Sequence, residues 1–193
     1  QYGSIAKVYV TQDEKLNISD TNNRLRNPFA INLYTLSFDS NKQLVNTNPA
    51  TKENIKSYIS PYRLLTDSVN IKNAFVINLG LDYEIITLPG FNSNEVLITS
   101  INAIKSLLHI DKMQINQPII IADLYTELAS IMGVQSIVKL EFYNFYDTLD
   151  GYSGNIYDIK QATRDGVLYP SLDPSIFEIK FPDSDIKGRV VSI

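Results

Sequence analysis

Apolar and polar residues alternate most cleanly from Phe75 to Ile85, where Phe75, Ile77, Leu79, Leu81, Tyr83 and Ile85 share one parity and Asn78, Asp82 and Glu84 the other. A period of two predicts a strand with one buried and one wet face. Ile5 to Val10 (IAKVYV) and Phe29 to Phe38 (FAINLYTLSF) are rich in branched and aromatic residues and predict two further strands. The second is closed by the turn-forming Asp39-Ser40-Asn41. Residues 13–26, polar and Asn-rich, read as a long connection. Val138, Leu140 and Phe142 alternate with Lys139 and Glu141, and Phe177, Ile179 and Phe181 with Glu178 and Lys180, which predicts one strand more in each place.

Three segments follow the helical period instead. Thr51 is placed to cap a short helix that gathers Ile55, Ile59 and Tyr62 on one face, with Pro61 limiting its length. Pro89-Gly90 ends the long strand, and Asn92 with Glu95 has capping-box spacing ahead of a stripe of Leu97, Ile101, Ile104 and Leu108. From Ala122 to Met132, Leu124, Leu128 and Ile131 line one side, with Gly133 set as a C-terminal cap. Helices with one apolar stripe and strands with one buried face predict an α+β fold, two-layered, with helices on one side of a small mixed sheet.

After Tyr146 the periodicity gives way to turn signals at Asp150-Gly151, Asp165-Gly166 and Lys187-Gly188. The expected organisation is an N-terminal strand and connection (1–26), an α+β core (27–146) and a β/turn-rich C-terminal appendage (147–193). Roughly 45 residues without long elements bury too little surface to offset their ordering entropy alone. The tail must therefore dock, on its own domain or on another chain.

Composition narrows the functional classes. Of the 193 residues 44% are apolar, enough for a packed core, and a net charge of -4 without any basic run argues against nucleic acid. No uninterrupted apolar stretch is long enough to predict a membrane span. The chain has no Cys, which removes disulfides, thiolate nucleophiles and sulfur-rich zinc sites. Its first residue is Gln1 rather than Met, which predicts a fragment of something longer.

Catalytic candidates are few. His109, the single histidine, sits at the end of the best helix, where a capping or dipole role is the common one. Ser4 and Lys7 match the S-x-x-K spacing of serine acyl enzymes, but on a strand the two side chains point to opposite faces. Asp147, Asp150, Asp183 and Asp185 read as solvated turn carboxylates that miss the calcium-loop spacing. Asp82 and Glu84 share a strand face, as a glycosidase pair could, although exposed charge is the default on a polar parity. No cofactor motif and no metal-ligand cluster emerges. The chain has 12 tyrosines, including Tyr143, Tyr146, Tyr152, Tyr157 and Tyr169 in and around the tail. Such rings either form a protein interface or cover the domain's own sheet.

Three stretches carry a resemblance: "YRLLTDSVNIKNAFVINLGLDYEI" (62–85), "GYSGNIYDI" (151–159) and "GVLYPSLDPSIFEIKFPDSDIKGRV" (166–190). Together they resemble the C-terminal part of the baseplate wedge proteins of contractile-tailed bacteriophages. The middle, with "INQPIIIADLYTEL" and "GVQSIVKLEF", is similar to the wider baseplate J-like family. The resemblance implies a non-enzymatic structural subunit of the virion's tail baseplate. It implies a homodimer through the C-terminal region and contacts with other wedge and sheath-initiating proteins. The interface idea transfers to Tyr152, Tyr157, Tyr169, Phe177 and Phe181. The alternatives are a receptor- or carbohydrate-binding module that stacks sugars on Tyr152 and Tyr157, and a tail-associated glycan hydrolase using Asp82 and Glu84.

Overall fold

The computed structural model describes residues 5–12, 30–62 and 68–191. The connection expected over residues 13–26 and the Ser4 of the Ser-Lys spacing lie outside the described residues. Helices and sheets are mixed along the chain, so the protein is α+β. It divides into two compact units, Gln1–Phe75 with Leu172–Ser175, and Val76–Ser171 with Ile176–Ile193.

The first unit is built on β2 (Ala30–Phe38), which pairs antiparallel with β1 (Ile5–Gln12) and β3 (Leu44–Asn46) and parallel with β4 (Ser68–Asn73). Both β3 and β4 are additions to the expected strands; each is short and too polar to stand out by pattern. Asp39 does make the expected turn, its carboxylate accepting the Asn41 and Gln43 amides at 2.8 and 2.9 Å. The helix α1 (Pro49–Ile59) starts earlier than Thr51 suggests: Asn48 is its N-cap, accepting the Ala50 amide at 2.9 Å, with Pro49 in the first turn. Lys7 is buried in this unit.

The second unit is organised around β5 (Phe75–Thr87). β7 (Val134–Phe145) pairs antiparallel with it, β11 (Ile186–Val190) pairs parallel, and β10 (Ser175–Glu178) joins the same sheet. A three-stranded sheet of β6 (Ile119–Ile120), β9 (Val167–Leu168) and β8 (Thr163–Arg164) stands beside it. Asp165 and Gly166, both at positive φ, form the two-residue turn joining β8 to β9, as the Asp-Gly signal predicts.

The helix α2 (Ser93–Leu107) packs on β11, and α3 (Ile121–Ser130) packs on β7 and α2. Asn92 caps α2 as expected, but the buried stripe is Val96, Ser100 and Ile104 rather than one beginning at Leu97. A serine is tolerated there because its Oγ lies 2.6 Å from the hydroxyl of Tyr83, leaving neither group unpaired. Opposite Tyr83, Gly188 leaves room for that ring: a Cβ there would come within 2.5 Å of Tyr83 Cζ. Lys187-Gly188 is thus inside a strand and not a turn. α3 stops at Ser130, because Ile131 is already extended, so Gly133 is not its cap.

Two corrections bear on function. First, residues 147–193 are not an appendage: β10 and β11 complete the sheet whose spine is β5, so most of the tail belongs to the same unit as β7. Second, the polar parity of β5 is wet only at Asp82 and Glu84; Val76, Asn78 and Gly80 are buried. The residues that cover them lie in the segment that the turn signals marked as a tail.

Candidate protein-contact site

The cover is residues 147–158, here termed the strap. The chain leaves β7 and reverses at once. Asp147 Oδ1 accepts the Leu149 amide at 2.9 Å, the Asp147 carbonyl accepts the Tyr152 amide at 3.1 Å, and Gly151 takes a positive φ of 87°. This reversal lays the Tyr152 ring on Phe145, with centroids 5.1 Å apart, and brings Phe181 edge-on at 5.5 Å. The Tyr152 hydroxyl donates to Asp185 Oδ1 at 2.8 Å, and Asp185 Oδ2 accepts the Phe181 amide at 2.9 Å. Asp185 is 2% exposed, so the expectation that it is a solvated turn carboxylate is corrected: three donors, counting Ser184 Oγ, surround it. Burial first, then the Asp185 carboxylate, push the Tyr152 phenol well above its ordinary range.

Further along, Asn78 is the hub. Its side chain donates to Glu178 Oε2 at 2.8 Å and accepts the Ser153 amide at 2.8 Å. Its carbonyl accepts from Asn144 Nδ2 at 3.0 Å. Ser153 Oγ and Asn155 Nδ2 both donate to the Val76 carbonyl, at 2.7 and 2.8 Å. The Tyr157 amide donates to Asn144 Oδ1 at 2.8 Å, and its hydroxyl to the Tyr169 carbonyl at 2.8 Å. Among the described residues no buried side-chain nitrogen or oxygen lacks a partner. Satisfied networks of this kind hold a segment in one conformation.

The strap's other side is bare. Leu149 is 93% exposed and Ile156 77%, with Tyr146 beside them also exposed. Of the five expected interface residues, the structure leaves only Tyr169 exposed. Phe177 is corrected outright: at 1% exposure in β10, it packs inside its own sheet beside Tyr157. Tyr152, Tyr157 and Phe181 are half-buried, their rings committed to intramolecular contacts. Leu149 and Ile156 were missed. The available signal was two large aliphatic residues inside DTLDGYSGNIYD, a run otherwise composed of turn formers and tyrosine.

The open end of the same sheet face is charged. Register places Lys187, Asp82 and Glu141 in one row across β11, β5 and β7, and Arg189, Glu84 and Lys139 in the next. Glu84 accepts a charge-assisted bond from Arg189, and Lys139 lies 2.9 Å from Glu141, which also accepts from the Tyr143 hydroxyl at 2.8 Å. These contacts raise the pKa values of Arg189 and Lys139 and lower that of Glu141. The recess there, about 260 Å³ in volume, is lined by Asp82, Glu84, Lys139 and Arg189, and Arg189 pairs with one oxygen of Glu84. His109 Nδ1 accepts the Asp111 amide at 3.3 Å, a local turn contact. Among the described residues no group of three His, Asp or Glu is placed to hold a metal, and no helix is long and apolar enough to cross a membrane.

No protein-family model matches the chain, and no curated protein matches it.

The tyrosines give the site a pH signature. Burial raises the phenols of Tyr83, Tyr152 and Tyr157 in the folded chain. A proton held more tightly in the folded than in the unfolded state contributes stability that is full below the unfolded value of about 10 and is lost as pH climbs through the folded values. Urea melts at neutral pH and above pH ~10 are expected to show this alkaline loss, with a smaller loss in Tyr152→Phe. At neutral pH the same variant should cost about 1–2 kcal/mol through the lost bond to Asp185. A variant melting like the parent at both pH values would show that the hydroxyl contributes nothing.

Proposed function

We propose that this chain is a structural subunit of a contractile phage tail baseplate, a wedge component that works by protein–protein contact rather than by catalysis. In this reading the second unit is a two-layer platform, with α2 and α3 on one face of the β5 sheet and the strap clamped on the other. The platform holds the strap rigid, and the strap presents Leu149 and Ile156 to a neighbouring subunit in the virion. The observation that carries the reading is the pairing of near-complete aliphatic exposure with a densely bonded underside. A pre-ordered loop that already presents aliphatic side chains loses little entropy on docking, so a partner that covers Leu149 and Ile156 gains most of the burial. Repetition of a modest contact around a symmetric ring multiplies its effect.

The resemblance adds the expected neighbours: a second copy contacted through the C-terminal region, other wedge proteins and sheath-initiating proteins. Sugar stacking on Tyr152 finds less support, since Phe145 and Phe181 already occupy its ring. Multi-angle light scattering at about 50 µM, a concentration at which weak interfaces populate, tests self-association; a strictly monomeric chain there would remove the homodimer. Leu149→Ser with Ile156→Ser is expected to leave stability within about 0.5 kcal/mol of the parent while abolishing incorporation into assembling tails. Unimpaired incorporation of that variant would remove the strap's role.

A further inference from the structure

The strap carries charge as well as aliphatic anchors. From Tyr146 to Ile159 there are three acids, Asp147, Asp150 and Asp158, all exposed, and no Lys or Arg. Asp147 accepts the Leu149 amide and Asp158 accepts the Gln161 amide at 3.0 Å, yet the amide oxygen of Asn makes the same bonds. Turn geometry therefore requires the oxygen and not the charge. Lys180 donates to the Gly151 carbonyl and the exposed Lys160 follows the strap, so three acids face two cations and the excess around the strap is negative.

We propose that the strap takes a segment of a different protein chain, one in which aliphatic side chains are flanked by Lys or Arg. This rests on the docking role proposed above and specifies the chemistry of the partner. Aliphatic groups cover Leu149 and Ile156 while the flanking cations meet Asp147, Asp150 and Asp158 at the rim, where charge governs approach and partner choice more than affinity. A second copy of this chain fits poorly. A two-fold contact sets a patch against itself, which here brings acids opposite acids. Self-association of the chain therefore uses another surface, and the strap is a heterologous contact.

The test uses the full chain and three synthetic peptides: leucines spaced by lysines, leucines spaced by glutamates, and serines spaced by lysines. Binding is followed by fluorescence anisotropy in about 0.05 M and about 0.5 M salt, conditions on either side of the range where rim charges are screened. The Leu/Lys peptide is expected to bind saturably at low salt and more weakly at high salt. The Leu/Glu peptide should bind at least roughly tenfold more weakly, and the Ser/Lys peptide not at all. Leu149→Ser with Ile156→Ser should abolish binding. Asp147→Asn with Asp150→Asn and Asp158→Asn, which keeps the turn bonds, should erase the preference for Lys over Glu. Equal binding of Leu/Lys and Leu/Glu peptides, lost in the aliphatic variant, would overturn the charge assignment and leave strap docking standing. Binding that survives the aliphatic variant, or no saturable binding of the Leu/Lys peptide, would overturn the proposal itself.

Discussion

A chain ending at Asp150 is expected not to fold its second unit and to aggregate on expression. The truncation removes β10 and β11, the strands that join β7 in completing the sheet around β5. It also removes Leu168, Ile176, Phe177 and Ile186, all buried. At about 1.5–3 kcal/mol for each fully buried large apolar side chain, those four alone amount to roughly 6–12 kcal/mol, comparable to the ~5–15 kcal/mol net stability of an ordinary domain. The same cut uncovers Val76 and Asn78: Asn78 loses the Ser153 amide and Glu178, and the Val76 carbonyl loses both its side-chain donors, so water replaces the bonds that hold the strap on β5. Far-UV circular dichroism with a thermal melt, and light scattering of the soluble fraction, read the outcome. A soluble truncation with a cooperative melt and the parent's strand content would mean that the tail is an accessory, contrary to the sheet described above.

The same strands show what pattern alone reveals. The inward parity of β5 is legible because Leu79, Leu81, Tyr83 and Ile85 are all buried, as a strict period of two predicts. The other parity is not. Val76, Asn78 and Gly80 carry no mark of burial, because what covers them lies some 70 to 100 positions downstream and bonds to them through backbone carbonyls and amide side chains. Strand β7 misleads for a local reason. Glu84 pairs with Lys139 but Ile85 with Ile137, so Val138 is a bulge, exposed, and Ile137 takes the place that alternation assigns to it. Glu178 reads as the wet parity of a strand, yet it is 3% exposed because Asn78 meets it. Of the five residues expected at an interface, four turn their rings into the chain's own packing. Tyrosine signals contact surface, but a phenol that finds an internal carboxylate or carbonyl is used for packing, as at Tyr152 and Tyr157.

Gly80→Ala should be among the most damaging single substitutions in the second unit, although it adds one methyl group. Gly80 is not at positive φ, so its requirement is space and not backbone freedom. A Cβ there would stand 2.2 Å from Phe145 Cε2 and 2.9 Å from Cζ, distances no real contact reaches. The ring cannot simply step aside: its other face carries Tyr152, which is held by Phe181 and by the bond to Asp185. The displacement therefore passes from the strand into the strap. Overpacking of this kind costs about 1–3 kcal/mol and sometimes more, and the absence of a free direction argues for about 3 kcal/mol. In a chain of this size each kcal/mol lowers Tm by roughly 2–4 °C, giving a fall of about 6–12 °C in the transition that carries the second unit. Gly90→Ala is the control, since nothing lies within 4 Å of its Cβ and only the strain of a positive φ remains, about 1 kcal/mol. If collision is the cause, Phe145→Leu added to Gly80→Ala should recover part of the loss, whereas Phe145→Leu alone should destabilise; that opposite sign separates a steric clash from any general intolerance of the strand. A Gly80→Ala chain that melts with the parent would mean that Phe145 does not press on β5, and the strap would lose the rigid footing on which its contact role depends.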